Sequence, residues 1–228
     1  MKIDLHNFFQ HYDPNNPKHV AAVEQLEMDL KDSPLLDDTS NWVRIYRTKP
    51  PASPGALSVP YYPQTDNYRD AQRTCNSSSC AMCLEYFKPG TLKGDKGDDA
   101  YIQKVFSVGD TTNHDVQTRV LKGYGINSEF RYNLGFSDLD RELAAGRPVV
   151  IGILHRGTLS SPTGGHMVVV IGKTPQGDYI VNDPYGSLND GYTGSVTNGK
   201  GAVYKKSDLS YRWLDKGKDK TGWGRVFK

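Results

Sequence analysis

The chain of 228 residues holds only three cysteines, all between positions 75 and 83. An odd count is a poor basis for a disulfide framework, and in a reducing compartment it leaves metal binding or catalysis as reasons for thiols to gather. No stretch approaches the roughly 18 apolar residues of a membrane span. The opening "MKIDLHNFFQHYD" lacks the basic and apolar regions of a signal peptide, so the expectation is a protein made in the cytoplasm. Charge of one sign is missing too. The 28 Lys and Arg against 26 Asp and Glu leave a net +2, too little field for nucleic acid as a partner. No repeat of roughly twenty or more residues is present, which excludes a solenoid.

What is present suits a globular protein, with 36% hydrophobic and 24% charged residues. The length allows one domain plus an extension, and a monomer is expected. Residues 1–57 read as that extension, closed by the structure-breaking "KPPASPGALSVP". Within it "NPKHVAAVEQLEMDLKD" places Val20, Val23 and Leu30 at helical spacing, as in a strap packed on the main domain. Residues 58–228 carry "DDAYIQKVFS", "HDVQTRVLKGYG" and "FSDLDRELAAG" as short amphipathic helices, and a strand-rich half follows Pro148. Helices first and an antiparallel sheet second is the order of an α+β fold.

Cys75, Cys80 and Cys83 are spaced C-x4-C-x2-C, as in plant-type iron–sulfur ferredoxins. Such a cluster needs four thiolates. With no fourth cysteine, no metal and no cofactor are expected here. "SSSCAMCLEYF" reads as a helix stopped by Pro89-Gly90, with Cys80 and Cys83 as small buried hydrophobes. Cys75 precedes that helix. Asn76 and the three serines can cap its start, and the positive end of the helix dipole favours a thiolate, so Cys75 is the candidate nucleophile.

A nucleophilic thiol needs a base and a group to orient that base. Of six histidines, His6, His11 and His19 lie in the polar N-terminal stretch, and His114 in "TTNHDVQT" reads as solvated. His155 ends the apolar "PVVIGIL" and is a second choice. His166 opens "GGHMVVVIGK", which the turn "KTPQG" joins to "DYIVNDPYG" as a hairpin. A turn centred on Pro175 gives pairs summing to about 350, which makes His166 and Asp183 cross-strand neighbours. Asn182 would then face the other way and be dispensable. The acidic "KGDKGDDAY" crowds Asp95, Asp98 and Asp99, but it lacks the spacing of a calcium loop and reads as solvated.

"VPYYPQTDN", "TCNSSSCAM", "GRPVVIGI", "GGHMVVVIGK", "YIVNDPYG" and a closing "RW" together resemble the papain-like cysteine peptidases of the C39-like family, over Ser58 to Phe227. The resemblance implies a papain-like fold, with a helical half bearing the nucleophile and an antiparallel sheet bearing His and Asp. It also implies Cys75, His166 and Asp183 as the catalytic set, with Gln64 donating to the oxyanion. Two features depart from the family pattern. Cys75-Asn76-Ser77 stands where Cys-Gly-Pro is common, and "TDNYRDAQRT" makes a long separation between Gln64 and Cys75. Stand-alone members resemble phage-type cell-wall hydrolases, so the expected function is amide hydrolysis in the peptides of peptidoglycan, reached after release. Exposed tyrosines in "YYPQTDNY" and "GYTGS" would suit such a groove. The alternatives are an intracellular peptidase or acyl transferase acting on one protein, and a silent cleft that only binds.

Overall fold

The structure is a computed structural model and describes residues 55–228. The helix expected over "NPKHVAAVEQLEMDLKD", the three N-terminal histidines and most of the 1–57 extension lie outside the described residues.

Helix α1, Cys75–Phe87, is buried from Asn76 to Leu84 without a break. A helix can be buried this completely only if its polar side chains find partners inside the protein, and they do. Ser77 Oγ lies 2.7 Å from Thr111 Oγ1, Ser78 donates to Asp98 at 2.6 Å, and Ser79 donates to the Met167 carbonyl at 3.1 Å. The apolar remainder, Cys80 to Leu84, has no solvent exposure. Met82 and Leu84 each contribute about 1.5–3 kcal/mol by that burial. The helix stops before Pro89 and Gly90, in line with the sequence; Gly90 takes a φ of +84°. Helices α2, Gly97–Val108, and α3, His114–Gly123, pack beside it. Asn113 caps α3 by accepting from the amides of Asp115 and Val116.

Six antiparallel strands follow in the spatial order β1-β6-β2-β3-β4-β5. They are β1, Ser128–Leu134; β2, Val149–Thr158; β3, Ser161–Lys173; β4, Tyr179–Asn182; β5, Ala202–Tyr204; and β6, Gly222–Phe227. Alternation along β3 divides the core. Met167, Val169 and Ile171 face the cluster that holds Cys80, Met82 and Leu84 of α1, whereas Val168 and Val170 face Leu139, Leu209 and Trp213. Those three belong to α4, Phe136–Ala144, to α5, Lys206–Arg212, and to the residue after α5. The sheet is thus covered on both faces, the stable arrangement for a sheet with two apolar sides. The fold is α+β, although β1 precedes α4 and α5 interrupts the strands, so helices and strands do not separate into two clean blocks. Gly152 is essential to the layering. A Cβ there would collide with the Trp223 ring, which lies against that point of the sheet.

Candidate active site

Cys75 is the first residue of α1, not the residue before it, and Thr74 at the cap makes no side-chain bond to the helix; its hydroxyl accepts from Asn67 and donates to the Ala71 carbonyl instead. The serines do not cap, because each turns to the interior partners described above. The dipole argument survives this correction, since the first-turn amides still point toward the Cys75 end of the helix. Cys75 is half-buried, while Cys80 and Cys83 are buried, and burial pushes the thiols of the latter two up. Burial acts on the Cys75 thiol in the same direction. The hydrogen bond and charge of His166 outweigh it, with backbone bonds from Met167 and Asn76, and hold this thiol below its ordinary value.

His166 pairs with Ile153 of β2 in the β2–β3 hairpin. Its Nε2 donates to Asp183 Oδ1 at 2.6 Å, which leaves Nδ1 as the ring nitrogen for Cys75. Burial lowers the affinity of the ring for its second proton, but the charge and hydrogen bond of Asp183, aided by Cys75, push it up to about 10. Both shifts favour a thiolate–imidazolium pair.

The expected register is offset. Val169 pairs with Asn182 and Val170 with Val181, and then a bulge resets the ladder so that Gly172 pairs with Ile180. Extending the Val169 pair puts Asp183 opposite Val168, diagonal to His166 and on the same side of the sheet. Asn182 does face the other way, as expected, but it is not idle. Its side chain donates to the carbonyls of Val59 and Pro60 and accepts from the Gly201 amide.

Asp183 is buried, and donors surround its carboxylate. His166 and the Tyr185 amide, at 2.9 Å, bind Oδ1; the hydroxyls of Tyr204, at 2.6 Å, and Tyr192, at 3.2 Å, bind Oδ2. Its backbone N–H donates to Gly199 O at 2.9 Å. A Cβ on Gly199 would collide with the Asp183 carbonyl, so only glycine permits this approach. Tyr192 has a φ of +62°, a left-handed backbone that costs a bulky residue about 1–3 kcal/mol.

Gln64 is 1% exposed; its Nε2 donates to the Ala71 carbonyl at 2.7 Å, and its backbone amide to the Pro184 carbonyl at 2.8 Å. It therefore ties the turn before Cys75 to the turn after Asp183. Gln72 is exposed and accepts from the Tyr185 hydroxyl at 2.9 Å. Asn76, at the family's glycine position, is buried away from the cleft. Its Nδ2 lies 3.3 Å from His114 Nδ1, and its Oδ1 accepts from the Cys80 thiol.

Two other expectations need correction. His114 is half-buried rather than solvated, its ring stacked on Phe130 with centres 3.5 Å apart. Burial, with Arg225 nearby, lowers it to about 4. In the acidic loop, Asp98 is fully buried inside α2, because Ser78 draws it inward. Among the described residues, no group of three or more His, Cys, Asp or Glu side chains is arranged to hold a metal ion. His155 stands 5.1 Å from the His166 ring, and its Nε2 accepts from Arg156 while the carboxylate goes to His166.

A model of the Peptidase_C39 like family matches residues 56–224. The chain belongs to that family. This C39-like peptidase is a cysteine peptidase with a papain-like fold. A putative C39-like peptidase from Bacillus anthracis shares the fold at a TM-score of 0.52 and 14% identity, over 76% of this chain and 97% of that one. A double glycine motif protease from an AMS/PCAT transporter, solved in complex with the leader peptide, matches at a TM-score of 0.49 and 18% identity, over 76% and 94%. No curated protein matches the chain.

The tyrosines around Asp183 are not apparent from the sequence pattern. Tyr192, expected as an exposed groove residue, turns onto the carboxylate instead. The tyrosines from "NDPYG" onward, at 185, 192 and 204, are the available signal.

Proposed function

We propose that the C39-like peptidase hydrolyses amide bonds with Cys75 as nucleophile, His166 as base and acid, and Asp183 as the orienting carboxylate. The observation that carries this reading is the single imidazole that bonds Asp183 through Nε2 and faces the lowered thiol of Cys75 with its other side. The thiolate adds to the scissile carbonyl, and the imidazolium gives its proton to the departing amine. Water then attacks the thioester, with His166 taking a proton from it. No cofactor enters these steps. The Cys75 amide and the second hydrogen of Gln64 Nε2, left over from the Ala71 bond, are the oxyanion donors, an effect of about 3–4 kcal/mol in comparable sites. The domain that does this runs from 58 to 228, with 1–57 an extension.

For the substrate, the reading is the peptide portion of peptidoglycan. The resemblance to stand-alone cell-wall hydrolases supports it, as does Tyr68, 55% exposed just past the Gln64 turn. Tyr61 and Tyr192 lend no support, since both bond inward toward Asp183 or its loop. The test is incubation with purified peptidoglycan and, separately, with denatured casein, followed by mass spectrometry of the new ends. New amino termini from peptidoglycan alone fit the reading; cleavage of casein alone replaces it with a protein-directed peptidase.

A further inference from the structure

The catalytic reading accounts for one oxygen of Asp183 and leaves the other. Oδ2 receives two phenols that come from separate parts of the chain, Tyr204 on the edge strand β5 and Tyr192 on the loop between Ser187 and Gly199. We infer that Tyr204 and Tyr192 are positioning residues that clamp Asp183 and set how strongly it holds the His166 proton. The inference rests on the proposed roles of Cys75, His166 and Asp183.

Three observations converge on it. First, the two bonds lock the carboxylate against rotation about Cβ–Cγ, which keeps Oδ1 on His166 Nε2. Second, Tyr204 is itself held, because its oxygen accepts from the Leu188 amide at 2.9 Å while its hydrogen goes to Asp183. Third, Tyr192 reaches the site only through a left-handed backbone at φ +62°. Strain of this kind persists where the surroundings over-determine it, and here its phenol and ring both end on the catalytic set. The Tyr192 ring stands 6.0 Å from His166 and 5.8 Å from His155. Burial and the charge of Asp183 push both phenols well above their usual range, so both stay donors.

A donor on a carboxylate draws negative charge away from its other contacts. Each phenol therefore weakens the hold of Asp183 on the imidazolium while improving its aim. The other groups facing this pair are Cys75 from α1, His155 from β2, and Tyr61 and Tyr185 from the flanking turns. Arg156 and Arg212 stand behind His155 and Tyr192. None of them replaces a phenol on Oδ2.

The test follows the His166 ring by NMR across pH in the full-length protein and in Tyr204→Phe, Tyr192→Phe and Asp183→Asn. Phenylalanine keeps each ring and removes only the hydroxyl, a change that a purely structural role would not carry into the titration. The expected result is an upward move of the His166 transition by about half a pH unit or more in Tyr204→Phe, a smaller upward move in Tyr192→Phe, whose bond is longer, and a downward move in Asp183→Asn. If Asp183→Asn moves it down while both phenylalanine variants leave it in place or lower it, the clamp is wrong and the triad stands. If Asp183→Asn leaves it unmoved, the triad reading fails and the clamp falls with it.

Discussion

His166 and Asp183 share a 2.6 Å hydrogen bond although they are not cross-strand partners. Asn182 is opposite Val169, so the carboxylate reaches back diagonally from one residue past the end of β4. Asparagine can still bond an imidazole. Asp183→Asn should therefore lower turnover less than His166→Ala, which removes the proposed base altogether. Turnover of the two variants at matched folded fraction decides this.

Three thiols on one helix allow a comparison in which only position differs. Cys75→Ala should abolish hydrolysis, whereas Cys80→Ala and Cys83→Ala should retain it and lose about 1 kcal/mol of stability from the small cavity. Turnover corrected for folded fraction, with urea midpoints, separates the two effects.

Asn182 belongs to the scaffold. Removing its side chain strips partners from the carbonyls of Val59 and Pro60 and from the Gly201 amide, a loss of about 2 kcal/mol. Asn182→Ala should thus shift the urea midpoint down while turnover per folded molecule stays near that of the unaltered protein. A collapse of turnover without loss of stability would move the orienting role from Asp183 to Asn182.

Gln64 is the proposed side-chain donor to the oxyanion, and Gln72 is the glutamine nearer to Cys75 in sequence. Gln64→Ala should reduce turnover about 10²-fold with little change in KM, and Gln72→Ala should spare turnover because Gln72 is exposed and the Tyr185 hydroxyl holds its side chain through Oε1. Steady-state kinetics of the two variants on a peptide substrate gives the comparison.

Asp98 should shape the pH dependence of stability. Burial, opposed by the Ser78 hydrogen bond and reinforced by Asp99 and Asp66, pushes its carboxyl from 3.8 to about 7. The fold therefore prefers the protonated form. Its contribution is complete below about pH 4 and falls by about 1.4 kcal/mol for each pH unit up to about 7, above which it stays lost. Asp98→Asn keeps an acceptor for Ser78 without the charge, so it should flatten this slope and be the more stable form at pH 8. Urea midpoints at pH 5 and pH 8 give the comparison.

The helix that Cys75 begins and the hairpin carrying His166 and Asp183 are legible in the sequence because both are local. "SSSCAMCLEYF" ends at Pro89-Gly90, and two continuous apolar runs, "MVVVI" and "YIV", flank the turn "KTPQG". The bulge beside Ile171 is not, since nothing in "VVVIGK" distinguishes a bulged residue from a paired one. His114 looks solvated because its sequence neighbours are polar, while Phe130 and Trp223, which bury it, come from distant strands. The same holds for Tyr204, whose hydroxyl meets Asp183 only once β5 joins the sheet. The placement of Cys75 and His166, the proposed nucleophile and base, thus follows from local pattern, and the support around Asp183 depends on long-range assembly.

The proposed thiolate at Cys75, held by His166, is tested most directly by the rate of iodoacetamide modification at pH 6, read residue by residue by peptide mass spectrometry. Cys75 should be modified well ahead of Cys80 and Cys83, and His166→Ala should slow Cys75 at least about tenfold, the loss expected when the imidazolium no longer stabilises the thiolate by about 1.4 kcal/mol. Equal labelling of the three thiols, or a Cys75 rate indifferent to His166, would contradict it.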